Sequence, residues 1–416
     1  MEYFVSGIKT VHQADGRLIR GGCDTESKLA GPLEGLRILE FAGLGAGPFC
    51  GMMLADNGAD VVLIDRPTRA RQGDAAKDVL NRSRQRVVLD LKQPESVEIV
   101  KRFARTADGI IEGFRPGVME RLGLGPDDLL KENPRLVYGR MTGWGQSGPI
   151  ADRAGHDINY IALSGALDAC GRAGGAPTPP VNLIGDFGGG GMFLAFGMLA
   201  GILSARATGR GQTIDCAMTD GSALLSAMLW TMRAQGRWPG ARGENLLDTG
   251  AHFYDSYETA DGLYVAVGAI EPQFYAQFCE RLGVAGDPQF ASQMDRAAWP
   301  ALKRRVAAIF ASKTRQEWVD IFAGADACFS PVLSMGEALA HPQNVARRTF
   351  IEIDGVAQPA PGPRFSMTPA AAPDMPRPAP GDGRRLIAAL GYDDETLSLF
   401  EAKGVFGVRM ESADVV

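Results

Sequence analysis

Short β-type segments alternate with helical ones over the first half of this 416-residue chain, and this alternation constrains the fold more than any other feature. Residues 36–41 and 60–65 are apolar runs typical of buried strands, and a turn and a helix are predicted between them. Similar strand-type runs follow at residues 86–91, 109–112, 136–141 and 212–218. Strands that are separated by helices predict a parallel, doubly wound α/β sheet.

The alternation stops in a glycine- and arginine-rich segment at residues 233–248, which predicts a domain boundary. A hairpin at 257–262 and a strand at 263–267 then begin a smaller unit with amphipathic helices. Prolines and alanines dominate residues 356–382, which predicts an extended arm, and a last helix is predicted at 384–403. The expected domains are an N-terminal extension at 1–30, a large α/β domain at 31–232, a linker at 233–250, an inserted small α+β domain at 251–335, and a return linker with a C-terminal arm at 336–416.

Composition and charge narrow the functional classes. The net charge of −6 argues against a general nucleic-acid or anionic-membrane binder. The six cysteines show no C-x-x-C spacing, so neither a disulfide framework nor a zinc site is predicted, and a reducing, cytoplasmic location is expected. The most apolar stretch, residues 192–205, is shorter than the roughly 20 residues that span a bilayer, and it is predicted to be a buried helix without membrane insertion.

A glycine-rich turn at residues 43–48 lies between the first predicted strand and helix, and Asp65 ends the next strand. This arrangement imitates the dinucleotide-binding fingerprint, but Pro48 stands where the fingerprint requires glycine. Arg66 follows Asp65 directly, which suits a phosphate or a purine at least as well as a ribose hydroxyl. A nucleotide site and a purely structural turn are both compatible with this pattern.

Two motifs contain the residues best suited to proton transfer. His156 and Asp186 each stand at the start of a predicted helix, and one imidazole and one carboxylate can move a proton on and off a single carbon from opposite faces. Histidine titrates near neutral pH unaided, whereas Asp186 needs a partly desolvated setting, which Phe187 is expected to provide. The glycines at 188–191 are expected to let the backbone approach a substrate closely. Simple helix capping by either residue is the alternative.

Several longer motifs are more specific than any single residue. They are LEGLRILE at 33–40, GADVV at 58–62, EGFRPG at 112–117, RLGLG at 121–125, GWGQSGP at 143–149, GHDINY at 155–160 and GDFGGGG at 185–191. On these motifs the chain resembles the class III CoA-transferase family, and within it the α-methylacyl-CoA racemases. The resemblance extends over most of the chain.

The resemblance implies a Rossmann-like large domain, an inserted small domain and a homodimer whose subunits interlock like chain links. It makes His156 and Asp186 the acid/base pair, with Glu271 orienting His156. The substrate that it implies is an acyl-CoA thioester, and no cofactor or metal is expected besides this substrate. The implied contacts with coenzyme A are Arg66, Leu89, Lys92, Gly113, Phe114, Arg115, Arg121, Gly155 and Tyr160.

The implied reaction interconverts (2R)- and (2S)-2-methylacyl-CoA by 1,1-proton transfer through an enolate. The enolate oxygen needs a fixed donor, for which the backbone N–H of Asp157 at a helix N-terminus is the candidate. The family also contains CoA-transferases, in which Asp186 would be a nucleophile that forms a mixed anhydride. An acyl-CoA-binding protein without turnover is a third hypothesis, against which the set of His156, Asp186 and Glu271 argues.

Overall fold

A six-stranded parallel sheet forms the centre of the large unit. The computed structural model describes residues 31–67, 75–376 and 382–406, so the predicted extension at 1–30 and residues 377–381 of the predicted arm lie outside it. The strands are β1 (Arg37–Phe41), β2 (Asp60–Asp65), β3 (Gln85–Val88), β4 (Gly109–Glu112), β5 (Val137–Thr142) and β6 (Gln212–Ala217). Their order is β3-β2-β1-β4-β5-β6 and all neighbours are parallel, which confirms the predicted doubly wound sheet.

Helices cover both faces of this sheet. They are α1 (Ala46–Asp56), α2 (Pro94–Thr106), α3 (Val118–Arg121), α4 (Pro126–Glu132), α5 (Asp157–Leu163), the π-helix Leu183–Met192, α6 (Phe193–Thr208), α7 (Met218–Leu225) and α8 (Ala227–Ala234). Side chains of α2 and α4 pack in one core with Ile110 of β4, while those of α1 and α6 pack in another with Ile111. Adjacent residues of one strand thus enter opposite cores, as the alternation of side chains along a strand requires.

A second unit has its own antiparallel sheet and its own core. Its elements are β7 (Tyr254–Glu258), β8 (Tyr264–Gly268), α9 (Pro272–Arg281), α10 (Trp299–Phe310), α11 (Arg315–Phe322) and β9 (Phe329–Pro331). The core is rich in aromatic rings; for example, Phe322 and Phe329 stack with their centroids 4.1 Å apart. The predicted turn between β7 and β8 is present, with Thr259 N–H donating to Leu263 O at 2.8 Å.

The C-terminal part differs from the prediction in two places. Its elements are α12 (Met335–Ala340), α13 (Pro342–Arg347), β10 (Phe350–Ile353), β11 (Val356–Pro359), α14 (Asp382–Ala388) and α15 (Asp394–Ala402). The single helix predicted at 384–403 is wrong, because Gly391 adopts φ +86° and Asp393 caps a new helix by accepting the Thr396 N–H at 2.8 Å. The start of the predicted extended arm is instead β11, which pairs with β10.

Helix α6 is buried along one side only, so the prediction of a buried helix is half right. Leu194 and Met198 are buried against the sheet, but Phe196 and Leu203 are 70% and 71% exposed. The π-helix and α6 together, Leu183–Thr208, form the one described helix that is long and apolar enough to cross a membrane. A helix in the core of a water-soluble protein meets the same criteria, so this property is weak evidence for membrane insertion.

Candidate active site

The predicted acid/base residues are positioned by the carboxyl edge of the parallel sheet. His156 follows β5, and Asp186 packs against the glycine-rich turn that follows β1. The direction in which strands are added to the sheet reverses between β1 and β4. In doubly wound sheets, ligands bind in the crevice at the carboxyl ends of the strands beside this reversal. Both residues therefore lie toward the edge of the sheet at which this type of fold binds ligands.

His156 is the N-cap residue of α5, and its side chain is exposed. Its backbone N–H donates to Asn159 Oδ1 at 3.0 Å, and its carbonyl accepts the Asn159 N–H at 2.8 Å. These two bonds fix where the helix begins. Asp157 is the first residue of α5, so its backbone N–H has no acceptor within the helix. The start of α5 is thus suited to stabilise a negative oxygen.

The loop before His156 is held in shape by Tyr160 and Trp144. Their rings contact edge to face with centroids 4.8 Å apart, and the Tyr160 hydroxyl donates to the carbonyl of Gly155. A β-carbon at Gly143 or Gly155 would lie 2.0 Å or 2.6 Å from the Tyr160 ring. Both glycines are therefore needed for this packing. Tyr160 is buried, so it supports the His156 loop in addition to any contact with coenzyme A.

Asp186 lies in the π-helix and is held by two side chains. Its backbone N–H donates to Asp157 Oδ1 at 2.7 Å, and its Oδ2 accepts a hydrogen bond from Asn182 Nδ2 at 3.0 Å. Asp157 directly follows His156, so this bond connects the two acid/base residues through one intervening side chain. The role of the Asp157 side chain and of Asn182 was not predicted. The spacing of four residues between Asn182 and Asp186 is the one signal that could have indicated their contact.

Burial raises the pKa of Asp186, and the negative charge of Asp157 raises it further. The hydrogen bond from Asn182 and the positive charge that His156 can carry act in the opposite direction. The net rise brings the Asp186 carboxyl closer to the pH range in which it can both accept and donate a proton. The effect of His156 also shows that the imidazole and this carboxyl lie within electrostatic reach of each other.

The glycines after Asp186 serve helix packing, which corrects the expectation that they face a substrate. A β-carbon at Gly189 would lie 2.6 Å from the Ser222 backbone nitrogen in α7, and one at Gly191 would lie 2.8 Å from the Ala46 carbonyl oxygen in α1. Two neighbouring helices thus occupy the space that side chains would need. The ring of Phe187 packs at a tilt of 50° against that of Phe49 in α1, with centroids 4.9 Å apart, which adds to the apolar setting of Asp186.

The glycine-rich turn after β1 is part of this site. A β-carbon at Gly45 would lie 2.9 Å from Asp186 Oδ2, and Gly45 has φ +63°. A β-carbon at Gly190 of the π-helix would likewise lie 2.9 Å from Ala46 Cβ in the first turn of α1. The space beside the turn, where a dinucleotide-binding fingerprint would hold phosphates, is filled by protein. Of the two alternatives for this turn, the structure supports the structural one.

Glu271 lies in the second unit. It is the N-cap residue of α9 and is exposed. The pKa of the Cys328 thiol is raised, first by burial of the thiol and next by the negative charge of Glu271. Among the residues that the structure describes, no hydrogen bond or ion pair joins Glu271 to His156 within one chain. The predicted orientation of His156 by Glu271 therefore stays a prediction.

The charged residues predicted to bind coenzyme A follow three strands of the parallel sheet, β2, β3 and β4. Arg66 directly follows β2, and Lys92 and Arg115 lie in the loops after β3 and β4. All three side chains are exposed, as is Arg121 at the end of α3. Because carboxyl ends of parallel strands meet at one edge, this edge presents several positive charges suited to phosphate groups. Gly113, also exposed, leaves the loop after β4 without a side chain at its start.

Two other predicted contacts with coenzyme A lie deeper in the protein. Leu89 is fully buried in the core, so its side chain is unavailable to a ligand. Its backbone N–H is also occupied, since it donates to Asp65 O at 2.8 Å. Phe114 is partly buried and contacts Phe41 edge to face at 6.3 Å. Within the described residues, no group of three or more His, Cys, Asp and Glu side chains is arranged to hold a metal ion.

Known proteins with similar sequences include racemases and transferases that act on CoA thioesters. The chain is 47% identical over 368 residues to the α-methylacyl-CoA racemase of Mus musculus, a match that covers 88% of this chain and 95% of the mouse protein. It is 46% identical over 339 residues to the human α-methylacyl-CoA racemase, covering 81% and 87%. The acetyl-CoA:oxalate CoA-transferase of Acetobacter aceti is 33% identical over 350 residues, covering 80% and 89%.

Solved structures show the same architecture. A CaiB/BaiF family protein from Brucella suis superposes with a TM-score of 0.74 at 26% identity, covering 87% of this chain and all of that one. The sequence pattern of CoA-transferase family III matches residues 33–385, which include both acid/base candidates and all the predicted coenzyme A contacts. This chain belongs to CoA-transferase family III.

Proposed function

We propose that this chain is an α-methylacyl-CoA racemase, an isomerase that interconverts (2R)- and (2S)-2-methylacyl-CoA through an enolate. The observation that carries the proposal is the hydrogen bond at 2.7 Å from the Asp186 backbone N–H to Asp157 Oδ1, which holds Asp186 beside the residue that directly follows His156. The identity of 46% and 47% to two α-methylacyl-CoA racemases supports the same reaction. The acyl-CoA thioester is the substrate, and the proposed chemistry needs no further cofactor.

In the proposed reaction, one of the two groups removes the α-proton and the other delivers a proton to the opposite face. Inversion needs both groups, because a single group would return the proton to the face from which it came. Asp186, whose pKa is raised by burial, is suited to donate in one direction and to accept in the other. The imidazole of His156 is exposed, and histidine is the side chain best suited to exchange protons near neutral pH.

The enolate carries its negative charge on the thioester oxygen, and the backbone N–H of Asp157 is the proposed donor to it. The N-terminal turn of α5 adds a favourable field at that position. The proposed partners of the coenzyme A phosphates are Arg66, Lys92, Arg115 and Arg121. Their side chains are exposed; the first three follow β2, β3 and β4, and Arg121 ends the short helix α3.

The proposed assembly is a homodimer with an inserted small domain, in which the partner subunit supplies Glu271 to the His156 site. Two observations support it: Glu271 has no described contact with His156 within one chain, and α6 and α8 expose large apolar side chains. These side chains are Phe196, Leu203, Met228 and Trp230. Light scattering should give a dimer mass for the parent protein, and Phe196→Glu should weaken it. A monomer of full activity would contradict this assembly.

The proposed location is the cytoplasm.

Isotope exchange tests the proposed reaction. One epimer of a 2-methylacyl-CoA, incubated with the protein in deuterated water, should yield both epimers, with deuterium at C2 of the inverted product. Mass spectrometry after chiral separation measures both changes. Recovery of a single, unlabelled epimer would contradict the proposal.

The alternative is a CoA-transferase in which Asp186 attacks the thioester and forms a mixed anhydride. The partly exposed Asp186 carboxyl is compatible with that role, but the transferase from Acetobacter aceti is more distant, at 33% identity, than the two racemases. Hydroxylamine trapping of an acyl group at Asp186, together with CoA transfer to a free carboxylate, would favour this alternative over racemisation.

A further inference from the structure

The two carboxyl oxygens of Asp186 have different contacts. Oδ2 accepts a hydrogen bond from Asn182 Nδ2 at 3.0 Å and lies beside the backbone of Gly45. The backbone N–H of the same residue is held by Asp157 Oδ1 at 2.7 Å. Oδ1 of Asp186 has no hydrogen-bond partner among the described residues. One oxygen is therefore engaged by the protein, and the other is free for a ligand.

We propose that Asp157 and Asn182 are positioning residues for the acid/base step, and that Asp186 Oδ1 is the oxygen through which the proton passes. Asn182 holds Oδ2 and thereby fixes the rotation of the carboxyl group about its last bond. Asp157 holds the backbone of Asp186 and so fixes its distance from His156, the residue that precedes Asp157. This inference rests on the proposed function, in which Asp186 exchanges a proton with C2 of the substrate.

The Asp157 side chain has features that packing alone does not explain. It is 5% exposed, and its Oδ2 has no partner among the described residues. A buried carboxylate with one unsatisfied oxygen destabilises a fold, whereas an apolar side chain of similar size would not. A β-carbon at Gly185 would lie 2.5 Å from Asp157 Oδ1, so the π-helix backbone approaches this carboxylate closely. The placement brings a negative charge next to Asp186.

The two positioning residues act on Asp186 in opposite directions. The charge of Asp157 raises the pKa of Asp186, while the hydrogen bond from Asn182 lowers it. His156 is the other charged group that acts on Asp186, and it lowers the same pKa. Other ionisable residues on elements that pack against the π-helix are Cys50 and Asp56 on α1, Tyr160 on α5, Arg206 on α6, Asp220 on α7, Tyr138 and Arg140 on β5, and Asp215 and Cys216 on β6.

The test is the pH profile of racemisation in both directions for Asp157→Asn, Asp157→Ala and Asn182→Leu. In the direction in which Asp186 removes the proton, the acidic limb of kcat reports its ionisation. Asp157→Asn should move this limb to lower pH and Asn182→Leu should move it to higher pH. Asp157→Ala also loses the acceptor, so kcat should fall about 10- to 100-fold while KM changes less than about twofold, and Asp157→Asn should recover most of that loss.

Asp127→Asn is the matched control, since it removes an exposed carboxylate in the first turn of α4 and should leave both limbs in place. If the limbs do not move in Asp157→Asn and Asn182→Leu, or move in the same direction, the inference is overturned. Should Asp157→Ala fail to fold, the opposite shifts of the limb in Asp157→Asn and Asn182→Leu decide the question, because the first variant keeps an acceptor oxygen and the second changes a half-buried residue at the start of the π-helix. Failure of the proposed function is a different result, in which the parent protein itself exchanges no C2 proton.

Discussion

Gly45 and Asp186 approach so closely that a β-carbon on Gly45 would lie 2.9 Å from Asp186 Oδ2. Gly45 also has φ +63° and ψ −107°, a backbone conformation that residues with a β-carbon rarely adopt. Gly45→Ala should therefore displace the Asp186 carboxyl and lower kcat by at least about tenfold, because an acid/base group must stay within hydrogen-bond reach of its proton. Steady-state racemisation and a thermal unfolding curve measure the two effects.

Gly47→Ala is the control for this variant. Gly47 lies in the first turn of α1, and a β-carbon there would meet nothing within 4 Å. Alanine favours a helix over glycine by about 1 kcal/mol, so the control should be as stable as the parent or more so, and fully active. Equal activity in Gly45→Ala and Gly47→Ala would show that the turn does not position Asp186.

The imidazole of His252 is buried in the second unit, and its burial makes the stability of the protein depend on pH. Its Nε2 lies 2.7 Å from the Tyr275 hydroxyl, which itself donates to Phe290 O at 3.0 Å. Nε2 must therefore be the donor, and the buried Nδ1 has no partner among the described residues. Burial lowers the pKa of His252 from its ordinary 6.5 to about 4, so the folded protein holds this imidazole neutral.

The unfolded chain binds a proton on His252 more readily than the folded protein does. The stability that the neutral imidazole contributes is therefore fully present above pH 6.5 and is lost as the pH falls toward 4. The free energy of unfolding should drop by about 2 kcal/mol between pH 7.5 and pH 5 from this group. Urea unfolding at the two pH values measures the drop. His252→Phe should reduce it, and His341→Gln, which changes a less buried imidazole, should not. An equal drop in His252→Phe would contradict this assignment.

Arg82 is expected to hold the C-terminal hairpin, formed by β10 and β11, on the large unit. It is 1% exposed, pairs with Asp56 at 2.6 Å, and donates to Gln358 Oε1 at 2.7 Å and to Pro359 O at 2.8 Å. Arg82→Met leaves the buried Asp56 without its partner, which should lower the free energy of unfolding by about 3–5 kcal/mol. Urea unfolding measures the loss, and limited proteolysis should detect earlier cleavage near β11.

Arg105→Met is the matched control, because Arg105 pairs with Glu132 at 2.9 Å on the surface. Exposed ion pairs of this kind contribute about 0–1 kcal/mol. A loss of the same size in both variants would mean that the buried Arg82 contacts do not stabilise the hairpin.

The parallel sheet was predictable because β1, β2 and β4 are short, largely apolar runs, and α1 and α2 lie between them or their neighbours in the chain. The boundaries of β2 and β4 agree with the prediction residue for residue. The break between α14 and α15 was missed, because Gly391 and Asp393 are single residues within an otherwise helical pattern. The exposed side of α6 could not be predicted either, since hydrophobicity alone does not tell a buried face from a face left for a partner.

Within the site, the sequence motifs indicated which residues matter but not what holds them. His156 and Asp186 were predicted as a pair, and they lie within electrostatic reach of each other. The contacts of Asp186 with Gly45, Asp157 and Asn182 come from the folding of separate segments against one another. Such contacts depend on the packing of the π-helix on α1 and α5, which no local pattern specifies.

The two-base claim is tested most directly by removing one base at a time. Asp186→Asn and His156→Gln are each incubated with the pure (2R) and pure (2S) epimers in deuterated water, and deuterium at C2 is measured for the recovered starting epimer. Each variant should lose racemisation yet still exchange the C2 proton of one epimer, and the two variants should retain opposite epimers, because each remaining base faces one side of the carbon. Exchange of both epimers by either variant would contradict the account.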